Sequence, residues 1–328
     1  MIARLAALLG LAILAMLGSL LAGGTWIALP QVLAAIAHPH SGSDAATIVW
    51  QLRLPRVCIG ALVGTALSIA GALLQGLLRN PIVDPFLTGV SAGAAVAIVV
   101  GMTAGVALAA LPALGFAAGI ATALVVAALA RRGSGLDATR LILAGVSLSS
   151  LFSAIIALVL TRLQTTDAAP AIIGWLAGSL AGRGWNDLAF ALPYAFAGVV
   201  LAFISVPSLN ALRLGDVRAA SIGVNVARAQ WLILCSASLL TACAVTLSGT
   251  VGFVGLIVPH IARRAVGSDV RYALPASAFI GAALTVCADA LCRTVAAPTE
   301  IPIGVLLAFV GVPAFLYLYL RSERAAAA

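Results

Sequence analysis

Lysine is absent from this 328-residue chain, and charge of either sign is scarce: 18 arginines against 10 acidic residues, 9% of the whole. Soluble domains carry about 25% charged residues. Without lysine there is no P-loop, whose lysine reaches the nucleotide phosphates, and no Schiff-base chemistry. Hydrophobic residues make up 63% and mean hydropathy is +1.17, more apolar surface than a globule of this size can hide from water. Cytoplasmic enzymes, nucleic-acid binders and disordered chains are thereby excluded. What remains is a polytopic membrane protein that must borrow any nucleotide chemistry from a partner. Cysteine is sparse too: Cys58, Cys235, Cys243, Cys287 and Cys292 have no metal-ligand spacing and sit mostly in apolar stretches. They read as small hydrophobes, and no metal or cofactor is expected.

Segmenting at charges, Pro and Asn leaves ten apolar runs, about 5–29, 57–78, 86–110, 112–130, 141–161, 188–206, 229–247, 250–262, 272–290 and 302–320. A helix crossing ~30 Å of hydrocarbon needs about 20 such residues. The opening run is too long for a signal-peptide core and reads as a retained first span. The eighth is short and carries Gly249, Gly252 and Gly255, the pattern of a broken or re-entrant segment. With the N-terminus inside, thirteen arginines fall in inner loops; Arg53, Arg56, Arg162, Arg183 and Arg293 fall outside. That bias favours an even number of crossings with both termini cytoplasmic. The expected fold is an all-α polytopic bundle of about ten transmembrane helices, forming a single transmembrane domain over 1–328. The net charge of +8 then marks cytoplasmic loops rather than nucleic-acid binding. Gly-x-x-x-Gly pairs at Gly60/Gly64, Gly101/Gly105, Gly115/Gly119 and Gly174/Gly178 suit close helix packing.

No Asp, Glu or Arg stands in the middle of any run. Ion-coupled secondary transporters usually carry an ionisable group there, so that class is disfavoured. His260, beside Pro259, Arg263 and Arg264, reads as a structural interfacial residue rather than a proton carrier. The inner segment at about 208–228 has two short amphipathic stretches around Gly215 and Gly223, and suits docking of a cytoplasmic partner. On the outer side Arg53-Leu54-Pro55-Arg56 puts two cations three residues apart, and Arg293 supplies a third. They suit either acidic groups of an external partner or snorkelling to headgroups.

The combination becomes specific at RLPR (53–56), Gly60, Gly64, Gly71, Gln75, RNPIVDP (79–85) and GVSAGA (89–94). It continues through LGDVRAASIGVNV (214–226), GTVGFVGLIVPHIAR (249–263), LPASAFIGAALTVCADALCR (274–293) and EIPIGVLLAFVGVPAFLYLY (300–319). In this order, from about residue 50 to 320, the chain resembles the FecCD-type permeases of ABC importers for iron siderophores, haem and cobalamin. The resemblance implies a type II importer fold: a homodimer in the bacterial inner membrane, its path on the dimer axis. Two copies of an ATPase subunit dock inside, and a periplasmic substrate-binding protein docks outside. It implies docking of that protein on Arg53, Arg56 and Arg293. Contact with the ATPase falls at Leu214, Gly215, Ala219, Gly223 and Val224 in the coupling loop. The path and inner gate fall on Ala138–Thr161, where Ser147, Ser149, Ser150 and Ser153 offer hydroxyls. The chain itself is then no enzyme. A bulky iron chelate is the expected cargo, with cobalamin the alternative.

Overall fold

The computed structural model describes residues 1–23, 26–39, 42–133, 135–162 and 168–327. Residues 24 and 25 of the opening run lie outside these, as do the side chains of Arg321 and Arg324, which entered the orientation argument. Fifteen helices and one small hairpin follow in order: α1 Ile2–Leu21, α2 Leu29–Ala37, α3 Asp44–Thr47, a π-helical stretch Ile48–Arg53, α4 Leu54–Leu77, a 3₁₀ turn Pro85–Thr88, α5 Val90–Thr103, a second 3₁₀ turn Leu108–Ala110 and α6 Leu111–Ala130. The hairpin pairs β1 Arg131–Arg132 antiparallel with β2 Gly135–Leu136. Then come α7 Ala138–Arg162, α8 Ala168–Leu176, α9 Trp185–Ile204, α10 Val206–Leu212, α11 Asp216–Ser221, α12 Val226–Ser248, α13 Val254–Val266, α14 Val270–Thr294 and α15 Ile303–Ala327.

Each of the ten apolar runs coincides with a helix, but among the described residues only seven helices are long and apolar enough to cross a membrane. Val90–Thr103 and Ile303–Tyr317 are shorter apolar helices, and α13 has 13 residues. Among the boundaries that differ from the sequence reading, two lie in the first third of the chain. The first helix stops at Leu21, not near residue 29: Ala22 is already extended (ψ 142°), and a separate helix, α2, opens at Leu29 with Pro30 in its first turn. The second is longer than expected: α3, the π stretch and α4 form one continuous apolar helix, Asp44–Leu77. The π stretch ends just before Pro55, where wider backbone spacing accommodates a residue with no N–H to give. Arg53 and Arg56 therefore stand within a helix, as do Asp289 and Arg293 near the end of α14.

The core gathers around α4, which packs against α12, α13 and α14. Small residues let the backbones meet. A Cβ on Gly64 would collide with the Gly281 carbonyl of α14, and one on Gly71 with the Gly255 carbonyl of α13. Between α5 and α6 the glycines instead make room for side chains, Gly101 for Leu114 and Gly115 for Ile98. The Gly174/Gly178 pair does not hold helices together: Gly174 faces open space, and Gly178 lies beyond α8 at φ +81°. Ahead of α13 the chain is irregular from Gly249 to Phe253, which has φ +68°, so the eighth run is broken at its start, as its glycines suggest. Gln75 fastens this region. Its Nε2 donates to the carbonyls of Val83 (3.2 Å), Gly255 (3.1 Å) and Leu256 (3.2 Å), and its Oε1 accepts from Arg263 at 2.7 Å.

Burial is uneven. Sixteen of the 23 residues of α12 are buried, whereas in α7 only Leu141 and Gly145 are. The rest of α7 presents Leu143, Val146, Leu151 and Leu158 outward.

Candidate functional site

Three places gather the residues singled out by sequence. The first is a cleft of about 470 Å³ at the end expected to face outward, lined among others by Arg53, Arg56, Arg183, Arg293 and Glu300. The C-terminal carbonyls of a helix are left without partners and carry partial negative charge. Here arginines from two other helices cap α1. Arg53 donates to the carbonyls of Leu20 (2.7 Å) and Leu21 (3.0 Å). Arg293 donates to the carbonyls of Ala22 (3.1 Å) and Ser19 (3.2 Å) and to the Ser19 hydroxyl (2.7 Å). Asp289 sits between cations, 3.0 Å from Arg293 and 2.9 Å from Arg56. Arg56 turns its remaining N–H groups to Glu300, at 3.0 and 2.8 Å.

The arginines are thus paired within the chain. Arg53 and Arg293 are only 5% and 6% exposed, and neither snorkels. Arg56 reaches the cleft wall with Glu300 as its half-exposed partner. That hydrogen bond, with the charges of Arg56 and Arg293, outweighs burial and holds the Glu300 carboxyl below its usual range. Sequence reasoning passed over both acids. Asp289 was findable, since it stands four residues before Arg293 on one helix face; Glu300 comes from a loop and gave no such signal. A tryptophan pair borders the same end: the Trp185 indole donates to the Trp50 carbonyl at 2.8 Å, and the Trp50 indole to the Ala35 carbonyl at 2.9 Å.

A second cavity, about 480 Å³, opens between α7 and the α5 region. Ser149 and Ser153 line it together with Ser91 and Thr250; Ser147 and Ser150 do not. Ser150 instead donates to the Val146 carbonyl of its own helix, 3.0 Å away, and Ser147 is exposed on another face. Helical phase decides this: positions 149 and 153 are four apart and share a stripe. Among the described residues, the hydroxyls of Ser91 and Ser149 are buried without a hydrogen-bond partner. The remaining lining includes Phe86, Ala92, Ala95 and Ile156, so the wall is apolar with a few hydroxyls. It can accommodate a large uncharged face and offers no fixed charge.

The third place is the inner segment, which folds as α10 and α11 joined at Gly215 (φ +110°), with a turn at Gly223 (φ +87°) before α12. Both glycines occupy backbone regions that other residues rarely enter. Ala219 is fully buried beneath α11, so its side chain is no contact surface, and Val224 is half-buried against the core. What the segment exposes is Leu214, Val217 and Ile222; Val217 is 85% exposed. Nearby, the loop 79–85 is set by Asp84, which accepts the Phe86 N–H at 2.9 Å. Burial pushes its carboxyl up to about 6.

Among the described residues, no group of three or more His, Cys, Asp and Glu is arranged to hold a metal. Comparison with known proteins decides the class. The model of the FecCD transport family matches residues 11–321. The chain belongs to that family. It is a multi-pass membrane permease of a transporter, as the similar proteins also indicate. An uncharacterised ABC transporter permease of Bacillus subtilis, YvrB, is 40% identical over 315 residues, covering 92% of this chain and 89% of that one. The cobalamin import permease BtuC of Halobacterium salinarum is 40% identical, with 90% and 79% covered. The hemin transport permease HmuU of Yersinia pestis is 38% identical, with 86% of each covered. A solved metal-chelate type ABC transporter in an inward-facing conformation superposes with a TM-score of 0.87 at 31% identity, over 97% of this chain and 98% of that one.

Proposed function

We propose that this chain is the membrane-spanning subunit of an ABC importer that carries a bulky iron chelate, haem or a ferric siderophore, across the bacterial inner membrane. Family membership sets aside an ion-coupled secondary transporter. The observation that carries the mechanism is the exposed apolar group Leu214, Val217 and Ile222 on a segment flanked by Arg213, Arg218 and Arg228. Arginines keep this segment at the cytoplasmic surface, where exposed apolar side chains gain about 1.5–3 kcal/mol each if a partner covers them. That partner is an ATPase subunit, present in two copies. Gly215 and Gly223 set the backbone of the contact, Leu214 and Val224 its apolar rim, and Ala219 supports it from below.

Two copies of the chain enclose the path, meeting along the outward face of α7. Each copy is a single domain with ten crossings and both termini inside. Ser149 and Ser153 face the cargo, while Ser147 and Ser150 lie beside them on the gate helix. A periplasmic binding protein caps the outer clefts, its carboxylates drawn by Arg53, Arg56 and Arg293. ATP closes the paired ATPases, which press on α10 and α11 and switch the bundle between outward- and inward-open packings. Such a switch requires the nucleotide state to favour one packing by a few kcal/mol.

A second reading, cobalamin as cargo, is favoured by the Halobacterium relative at 40% identity. Uptake by the complete transporter in proteoliposomes, supplied in turn with haem, a ferric siderophore and cobalamin, tests the choice. Saturable uptake of haem or siderophore alone supports the proposal; uptake of cobalamin alone replaces it with the second reading.

A further inference from the structure

The cytoplasmic end of α7 is preceded by the hairpin β1–β2, and a side chain of α12 reaches it. The Leu136 N–H donates to Gln230 Oε1 at 2.7 Å. Gln230 is buried in the first turns of α12, and its Nε2 reaches Asp216 Oδ2 at 3.4 Å. Asp216 is the first residue of α11 and also pairs with Arg79, just past the end of α4. Gly135 permits the approach: a Cβ there would stand 2.9 Å from Gln230 Oε1. Asp137, the next residue, accepts the Arg140 N–H at 3.0 Å and so starts α7 directly beyond the hairpin. Arg79, Leu136, Asp137, Asp216 and Gln230 border one polar cavity of about 290 Å³.

We propose that Gln230 and Asp216 are positioning residues that transmit movement of α11 to the β1–β2 hairpin and so to the start of α7. This rests on reading α10–α11 as the ATPase contact and α7 as the gate, and it names how one drives the other. The chemistry suits the task. A neutral amide uses its oxygen on one element and its nitrogen on another, so displacement of α11 pulls on the hairpin through a single rigid group. The buried amide is costly to leave unpaired, which keeps the two elements moving together rather than separately. The cavity gives the joint room to move.

The test uses the complete transporter, with ATPase and binding protein, in proteoliposomes, and reads cargo moved per ATP hydrolysed. Gln230→Leu preserves size and removes both hydrogen bonds. It is expected to lower that ratio at least five-fold while ATP hydrolysis stays within two-fold of wild type. Gln230→Glu keeps the acceptor for Leu136 but sets a carboxylate against Asp216, and is expected to uncouple as well. Gln230→Glu combined with Asp216→Asn reverses donor and acceptor, and should restore the ratio to within two-fold. A purely structural role for Gln230 would lower assembly or both rates together and would not be rescued by the exchange. Wild-type coupling in Gln230→Leu, or a double variant no better than Gln230→Glu, overturns the proposal while leaving the importer reading intact. Wild-type uptake that needs no ATP would overturn both.

Discussion

The outer cleft and the inner segment both carry arginines, and they use them differently. Outside, Arg53, Arg56 and Arg293 are turned inward onto carbonyls of α1 and onto Asp289 and Glu300. Their charge is largely answered within the chain, so the cleft is a rigid, preorganised surface. Inside, Arg218 and Arg228 flank apolar groups that the chain leaves uncovered. A surface completed by its own chain fits a partner that comes and goes. An apolar surface left open fits a partner that stays.

The largest effect expected from breaking this contrast is at the inner segment. Val217→Glu with Ile222→Glu should reduce co-purification of the ATPase more than ten-fold while the detergent-extracted yield of the permease stays the same. A bulky residue at Gly223 should do likewise, by forcing a side chain into φ +87° as well as by obstructing the face. Normal co-purification in both would remove the docking role of α10–α11.

Next in size is Asp289→Ala, which takes the carboxylate from the buried Arg293 and leaves Arg56 with Glu300 alone. Removing one partner of a buried pair costs roughly 3–5 kcal/mol, so thermal unfolding of the purified permease in detergent should shift sharply downward. Glu300→Gln should change it little, because exposed pairs contribute about 0–1 kcal/mol. Equal shifts in the two variants would mean that the network is not graded by burial as described.

Smaller still are effects on the external partner. Arg53→Glu with Arg56→Glu should weaken the binding protein and blunt its stimulation of ATP hydrolysis, most clearly at low salt. Because Arg53 also caps α1, Glu300→Gln is the cleaner probe. It frees one side of Arg56 for an incoming carboxylate and should tighten docking two- to five-fold; unchanged affinity in both variants would count against a carboxylate–arginine contact. The smallest effect is on pH dependence. Asp84 has a folded value raised from 3.8 to about 6. Between these values the unfolded chain has already lost the proton that the folded one keeps, so stability falls as pH rises from about 4 to 6. Asp84→Asn should flatten that slope in pH-dependent thermal unfolding.

Much of the fold was legible because hydrocarbon thickness and the scarcity of charge leave few ways to divide the chain. Every apolar run became a helix, and Pro30, Pro55 and Pro112 each fall in the first turn of one. Ends were misjudged where charge was taken as a boundary: Arg53 and Arg293 sit inside helices because carbonyls at the end of α1, and for Arg293 also Asp289, answer them there. The site was legible as a set of segments but less so as side chains. Ala219 enters as a contact through the family resemblance, yet helical phase buries it and exposes Val217. Ser147 and Ser150 miss the α7 cavity for the same reason. Gln230 gave no signal in sequence, since its two partners, Leu136 and Asp216, lie 94 and 14 residues away.

The central claim is that the chain is a passage driven through contact at α10–α11. The most direct measurement is solute accumulation in vesicles holding either the permease alone, under a proton or sodium gradient, or the permease with its ATPase, binding protein and ATP. Accumulation only in the complete, ATP-supplied vesicles, and its loss with Val217→Glu and Ile222→Glu, is the predicted result. Accumulation by the permease alone on an ion gradient would contradict it.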